Sequence, residues 1–325
     1  GIYENEVSVR MVLVANNDTL IFLNAASDPY NNNSGGAMLG QNQTTITARI
    51  GASNYDFGHV FSTGGGGVAG LGIICDNVQK ANGVTGLPNP VGDAFDVDYV
   101  AHEMGHQFGA NHTFNNNSSG SCFSNASMGH NFEPGSGSTI MAYAGLCSPF
   151  DLQSNSDPIF HTESYNEIFT YTIFGFGNSC ASTTFTNNSV PIINPLTDYI
   201  IPFRTPFTLV GSASDADGDP LTYIWAQYDS GPFGNPNTPT GDAAIFRVFT
   251  PTADSTRTFP RLQNIINNTT TLGERLPTYA RTLHFKFTAR DNRIAGGGVA
   301  NNFTPVNVEV INTTTPFQVT LPNTN

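Results

Sequence analysis

The sequence predicts an α/β (α+β) domain with a mixed sheet, followed by an all-β, immunoglobulin-like sandwich, and three observations carry that prediction. At 325 residues the chain is longer than one typical domain. Its strongest helical pattern and all four cysteines, Cys75, Cys122, Cys147 and Cys180, lie in the first part. Beyond a linker-like stretch at 183–195, short runs alternate at period two between clusters of Pro, Gly, Asp and Asn, as strands of an antiparallel sandwich do. The expected division is 1–186, a linker at 187–193, and 194–325.

In chain order, the β-branched run from Val7 to Val14 reads as a strand, with a short second one at Leu20 to Leu23. Residues 28–36 are loop by composition, Gln41 to Ile50 suits a helix, and Tyr55 to Thr63 a strand in which His59 is a packed or surface histidine. The glycines 64–67 lead into a further strand from Val68 to Cys75. A helix then opens with Asp93 as N-cap and Asp96 near its positive end. Ala94, Val97, Ala101, Met104 and Phe108 recur at helical spacing and form its core face. Residues 115–137 are again loop. Residues 156–161 and 163–174 fit a helix closing the domain, with His161 structural. In the second part the strands fall at 206–212, 221–228, 244–250, 281–289 and 304–311, and Trp225, the sole tryptophan, anchors their core. Asp215, Asp217 and Asp219 alternate in a loop that holds either Ca2+ or a tight Asx-rich turn, with the turn favoured.

Composition excludes several function classes. Twenty-five acidic against 12 basic residues, a formal charge of −13, disfavours nucleic acid and anionic membrane surfaces as partners. No apolar stretch is long enough for membrane insertion. Only 11% of residues are charged, while Asn, Ser, Thr and Gly fill the surface, a style of extracellular proteins. The even number of cysteines, with no CxxC, favours two disulfides in an oxidising compartment over thiolate metal binding. A chain that starts at Gly1 rather than Met reads as the processed form of a secreted protein, and a monomer is favoured.

The chemistry concentrates in His102-Glu103-Met104-Gly105-His106-Gln107-Phe108-Gly109-Ala110-Asn111-His112. His102 and His106 lie one helical turn apart on one face, so both rings reach a single ion. Glu103 projects beside that ion, where a carboxylate accepts a proton from activated water. Gly109 lets the chain leave the helix in a conformation that disfavours a Cβ, and the turn brings His112 round as third ligand. Three imidazoles with an open fourth position describe a catalytic rather than a structural Zn2+ site.

This stretch resembles the HExxHxxGxxH signature of the metzincin metallopeptidases at every defining position. Residues 138–143, Ser-Thr-Ile-Met-Ala-Tyr, resemble the methionine turn of that clan. The segment Gly67 to Cys75 followed by the zinc helix is most similar to the reprolysin-like (adamalysin-type) branch, as it occurs in secreted bacterial enzymes. Thr113 departs from the Asp that venom and ADAM-type members usually carry after the third histidine. The resemblance implies a secreted zinc endopeptidase acting on proteins or peptides, with Met141 as a floor beneath the ligands. It also implies an edge strand at Val68, Ala69, Gly70 and Leu71 that pairs with extended substrate, and a pocket wall at Ala144, Gly145 and Leu146. Tyr143 is either a transition-state stabiliser or a buried aromatic packed on the turn. Compared with such enzymes, the resemblance implies a domain that starts late, without its first strand and helix before Gly1. Of three possible disulfide pairings, Cys122–Cys147 with Cys75–Cys180 is preferred, because the first braces the loop between the third ligand and the methionine turn. The competing reading is a zinc-stabilised adhesion or binding protein whose sandwich is the working part; an intact Glu103 argues against it, since a structural site needs no base.

Overall fold

The computed structural model describes residues 1–294 and 296–315; the end of the expected second domain, 316–325, lies outside the described residues. The chain opens with a helix, α1 (Ile2–Val7), rather than running into a strand, and residues 8–14 form no ladder. Tertiary contacts override the β-branched pattern here. Tyr3 and Glu6, three residues apart and so on one helical face, are both buried, with the Tyr3 hydroxyl donating to the Ala101 carbonyl at 2.8 Å. Leu20 to Leu23 likewise pairs with nothing: a 3-10 turn covers Asn17–Leu20.

Helix α2 (Gly35–Ile50) starts before the predicted Gln41 because Ser34 caps it, its hydroxyl accepting from Ala37 N–H at 3.3 Å. Its buried residues Met38, Asn42, Thr45 and Ile46 follow helical spacing. The strand expected over Tyr55 to Thr63 shrinks to β1 (Val60–Ser62), and the one expected over Val68 to Cys75 becomes β2 (Gly66–Ala69). Both flank a fully buried β3 (Gly83–Gly86), parallel to β1 and antiparallel to β2, so the sheet is mixed and β2 is an edge. Beyond Ala69 the chain leaves the sheet for the helix that carries His102 and His106, where Gly72 N–H and Ile73 N–H donate to the carbonyls of His106 and Gln107 at 2.8 and 3.0 Å.

The central helical run has three pieces: α3 (Asp93–Phe95), a π-helical turn (Asp96–Ala101) and α4 (His102–Gln107). Gly92, not Asp93, is its N-cap. Of the expected core face, Val97, Ala101 and Phe108 are buried, Met104 is partly so, and Ala94 is exposed. A closing helix α5 (Thr162–Phe169) continues as a π-helical turn to Phe174, whereas 156–161 is irregular and ends in His161, whose ring accepts from Glu163 N–H at 3.1 Å. Disulfides join Cys75 to Cys180 and Cys122 to Cys147.

From residue 192 on, strands dominate: β4 (Ile192–Ile193), β5 (Tyr199–Pro202), β6 (Phe207–Val210), β7 (Ala213–Ser214), β8 (Thr222–Gln227), β9 (Thr256–Phe259), then a short helix α6 (Leu262–Ile266), β10 (Arg281–Arg290), β11 (Val299–Asn301) and β12 (Val306–Ile311). Strands β11, β10, β12, β5 and β8 form one sheet, while β6 pairs with β9 and β4 with β7. Leu209, Trp225, Phe259, Phe285 and Val308 share one core. Two features depart from a purely antiparallel sandwich. Strand β5 runs parallel to β12. Residues 244–250 form no strand, because the Gln227 side-chain oxygen takes the N–H groups of Ile245 and Phe246 at 2.8 and 2.9 Å that a ladder would have used.

Strand β10 shows how the two parts meet. Its burial alternates from Arg281 to Phe285, then every residue from Phe285 to Arg290 is buried. Alternation ends where a second face is covered. There the Thr288 hydroxyl meets that of Thr162 at 2.9 Å, and Arg290 makes two hydrogen bonds to Glu6 of α1, at 2.7 and 2.8 Å.

Candidate metal centre

His102 and His106 sit on α4, one turn apart, and the chain turns back at Gly109 (φ +95°) to bring His112 against both. His112 Nε2 lies 3.2 Å from His102 Nε2 and 3.0 Å from His106 Nε2. Each Nδ1 faces a backbone carbonyl: Ile140 for His102 at 2.7 Å, Ala110 for His106 at 2.7 Å, and Asn125 for His112 at 2.6 Å. A carbonyl only accepts, so each Nδ1 carries the proton and each Nε2 is left with a lone pair. Three lone pairs converging at about van der Waals range repel one another unless a cation lies between them, and an all-imidazole set with its backbone partners in place suits zinc. Burial acts in the same direction, holding His106 down to about 4, His112 to about 3, and His102 well below the usual imidazole range, so all three are neutral imidazoles at pH 7.

Glu103 is buried and accepts no hydrogen bond from the described residues; burial pushes its carboxyl up to about 8. Such a carboxyl exchanges a proton near neutrality. Its side chain lies against the backbone of β2 at Gly67, where any Cβ would overlap the Glu103 carboxylate. That glycine therefore lets the edge strand approach the Glu103 carboxylate, a role hidden in the run of glycines at 64–67. Val68 and Ala69 belong to β2, whereas Gly70 and Leu71 lie past its end and Gly70 N–H donates to the Asn82 carbonyl at 2.8 Å.

Met141 is fully buried beneath α4, its sulfur where a Cβ of Gly105 would stand. Tyr143 packs its ring 4.7 Å from His112 and 4.6 Å from Phe114; burial first, and the nearby Glu103 carboxylate second, push its phenol up to about 12. The loop after it is fastened by the Cys122–Cys147 bridge and by Ser121 N–H donating to the Leu146 carbonyl at 2.9 Å, with Ala144 buried and Gly145 and Leu146 exposed.

Glu133 was no more than loop in the sequence, yet it is wholly buried. Thr113, the residue after His112, donates its hydroxyl to Glu133 at 2.7 Å; Ser138 N–H donates to the same carboxylate at 2.8 Å, and the Thr139 hydroxyl joins them. One internal carboxylate thus links the residue after the third histidine to the methionine turn. The only sequence signal was an acidic residue just before a turn rich in hydroxyl groups. His59 is half-buried, its ring held between Gln107 Oε1 at 2.7 Å and the Thr85 hydroxyl at 2.8 Å. Asp215 Oδ1 accepts from the N–H groups of Asp217 and Asp219 at 2.8 and 3.2 Å, closing an Asx turn in the second part of the chain. No described helix is long and apolar enough to cross a membrane.

No curated protein and no solved structure gave a match to this chain. The model of the metallopeptidase family M12B, reprolysin-like, matches residues 1–170, more than half of the 325-residue chain and all three histidines. The geometry of the triad and that match agree: the chain belongs to the reprolysin-like M12B family of zinc metallopeptidases.

Proposed function

We propose that this chain is a secreted zinc endopeptidase in which Glu103 serves as general base and then general acid. The observation that carries the reading is the convergence of three Nε2 lone pairs beside one buried carboxylate. His102, His106 and His112 would hold the zinc, which when bound polarises a peptide carbonyl and lowers the pKa of water. Glu103 takes the proton from the attacking water and returns it to the leaving amine; one carboxyl near neutrality does both. Strand β2 offers its free edge to an extended substrate, and Gly67 keeps that edge in contact with Glu103. The Tyr143 hydroxyl, neutral at working pH and beside the ligands, donates to the oxygen that gains charge at the scissile carbon. Two disulfides support export to an oxidising compartment. Separate cores, one drawn from residues 2–180 and one from 193–310, support a catalytic domain at 1–186 and a sandwich domain from 194.

The Glu103→Gln variant keeps the shape and the histidines. Peptide hydrolysis should drop by about 10²–10⁴-fold with metal content unchanged. Substantial hydrolysis by the metal-loaded variant would remove Glu103 from the mechanism.

A further inference from the structure

A second cluster of metal-binding side chains lies outside the triad. His130 comes from the loop between the third ligand and the methionine turn, and Glu163 and Glu167 stand one turn apart on α5. His130 Nδ1 is 2.8 Å from Glu167 Oε1 and 3.4 Å from Glu163 Oε1, and the three ligand atoms lie within 4.8 Å of one another. Both glutamates are 13% exposed. Among the described residues no Lys or Arg forms an ion pair with either one.

With both carboxylates ionised, two arrangements would relieve their repulsion: an imidazolium donating to them, or a cation among all three groups. The geometry separates the two. His130 Nδ1 is buried and has no hydrogen-bond partner, although a carboxylate oxygen is only 2.8 Å away, so the ring nitrogen is not aimed as a donor. The remaining capacity of the carboxylates is directed by neighbours. Asn111 donates its N–H to Glu167 Oε2 at 2.9 Å and its side-chain amide to Oε1 at 2.6 Å, and the Tyr228 hydroxyl donates to Glu163 Oε2. Such outer hydrogen bonds orient metal-binding carboxylates.

We infer that His130 Nδ1, Glu163 Oε1 and Glu167 Oε1 form a second site for a divalent transition ion of the zinc or manganese kind. One imidazole with two carboxylates suits those ions better than calcium, which prefers six or more oxygens. The site goes beyond the triad and does not depend on it. Its position gives it a structural consequence. Through Asn111 it holds the residue before His112, and through Tyr228 it reaches the second part of the chain, so one ion would fasten the third-ligand turn, α5 and the residue that follows β8 together.

The test counts ions on the intact chain, stripped by chelation and then equilibrated with Zn2+ or Mn2+. Wild type should bind two per chain, His112→Ala one and His130→Asn one. The ion retained by His112→Ala should raise its melting temperature on addition, and the rise should vanish in the His112→Ala/Glu167→Gln variant, checked for folding by circular dichroism. A single ion in wild type that His112→Ala abolishes overturns the proposal, as does a full complement of two in His130→Asn. Because ions are counted rather than turnover, either result leaves the role of Glu103 to be judged on its own.

Discussion

Around the triad, residues 2–180 contain three short strands among the described residues, and much of what is buried there is polar: Glu133, Gln107, Thr113, Ser138 and Thr139 are essentially inaccessible. Between 192 and 311, nine strands among the described residues enclose a core rich in phenylalanine, with Phe207, Phe246, Phe259 and Phe285 within 6.2 Å of one another by ring centroid. Apolar burial is non-directional and stabilises a shape in bulk. Hydrogen bonds from buried groups are directional, and an unmatched one costs about 1–3 kcal/mol, so they fix where side chains stand. The first part thus resembles a jig for three imidazoles, the second a body that covers one side of it.

Removing bulk from the second part should give the largest loss. Phe285→Ala empties a fully buried site, so urea unfolding should show about 3–5 kcal/mol of destabilisation, with hydrolysis of a short peptide by the folded fraction unchanged. If cleavage falls as steeply as stability, the two parts are one functional unit and the contrast is wrong.

The seam is examined by Glu6→Ala, which strands Arg290 in a site where both side chains are under a tenth exposed. Breaking such a pair costs about 3–5 kcal/mol, whereas Glu6→Met with Arg290→Met should restore much of it. Equal losses in the single and double variants would mean that packing, not charge, joins α1 to β10.

Within the jig a smaller cost should have a larger effect on chemistry. Gly105→Ala drives a methyl into Met141 beneath the ligands, a strain of about 1–3 kcal/mol. Weaker zinc retention on dialysis against a mild chelator, out of proportion to the change in melting temperature, is the expected sign.

The smallest effect concerns His284 on β10, whose hydrogen bond to Asp229 at 2.6 Å raises its pKa above the usual imidazole value. A raised folded-state pKa means stability that is full below about pH 6.5 and is lost as pH rises through the folded value. His284 is 40% exposed, so screening holds the contribution under about 1 kcal/mol. The melting-temperature gap between wild type and His284→Gln should be widest in acid and close at alkaline pH; a gap independent of pH would show lost packing instead.

The triad was legible because its information is local. His102 and His106 share a face by helical period, and Gly109 and His112 follow within one turn, so spacing alone brings them together. The same locality misled at the N-terminus, where β-branched residues 7–14 announced a strand, yet Val7 ends helix α1, which buries Tyr3 and Glu6, and 8–14 join no ladder. It misled again at 244–250, where a side chain from β8 replaced a ladder.

The sequence by itself determined the three imidazoles, the carboxylate beside them, and a strand-rich second part, since each depends on periodicity and residue type over a few turns of chain. Only the tertiary structure decided that Glu133 serves Thr113 and the methionine turn, that Gly67 yields to Glu103, that Arg290 meets Glu6, and that His130 faces α5. Those partners are brought together by chain closure across tens to hundreds of residues, and no local pattern in either partner records the other.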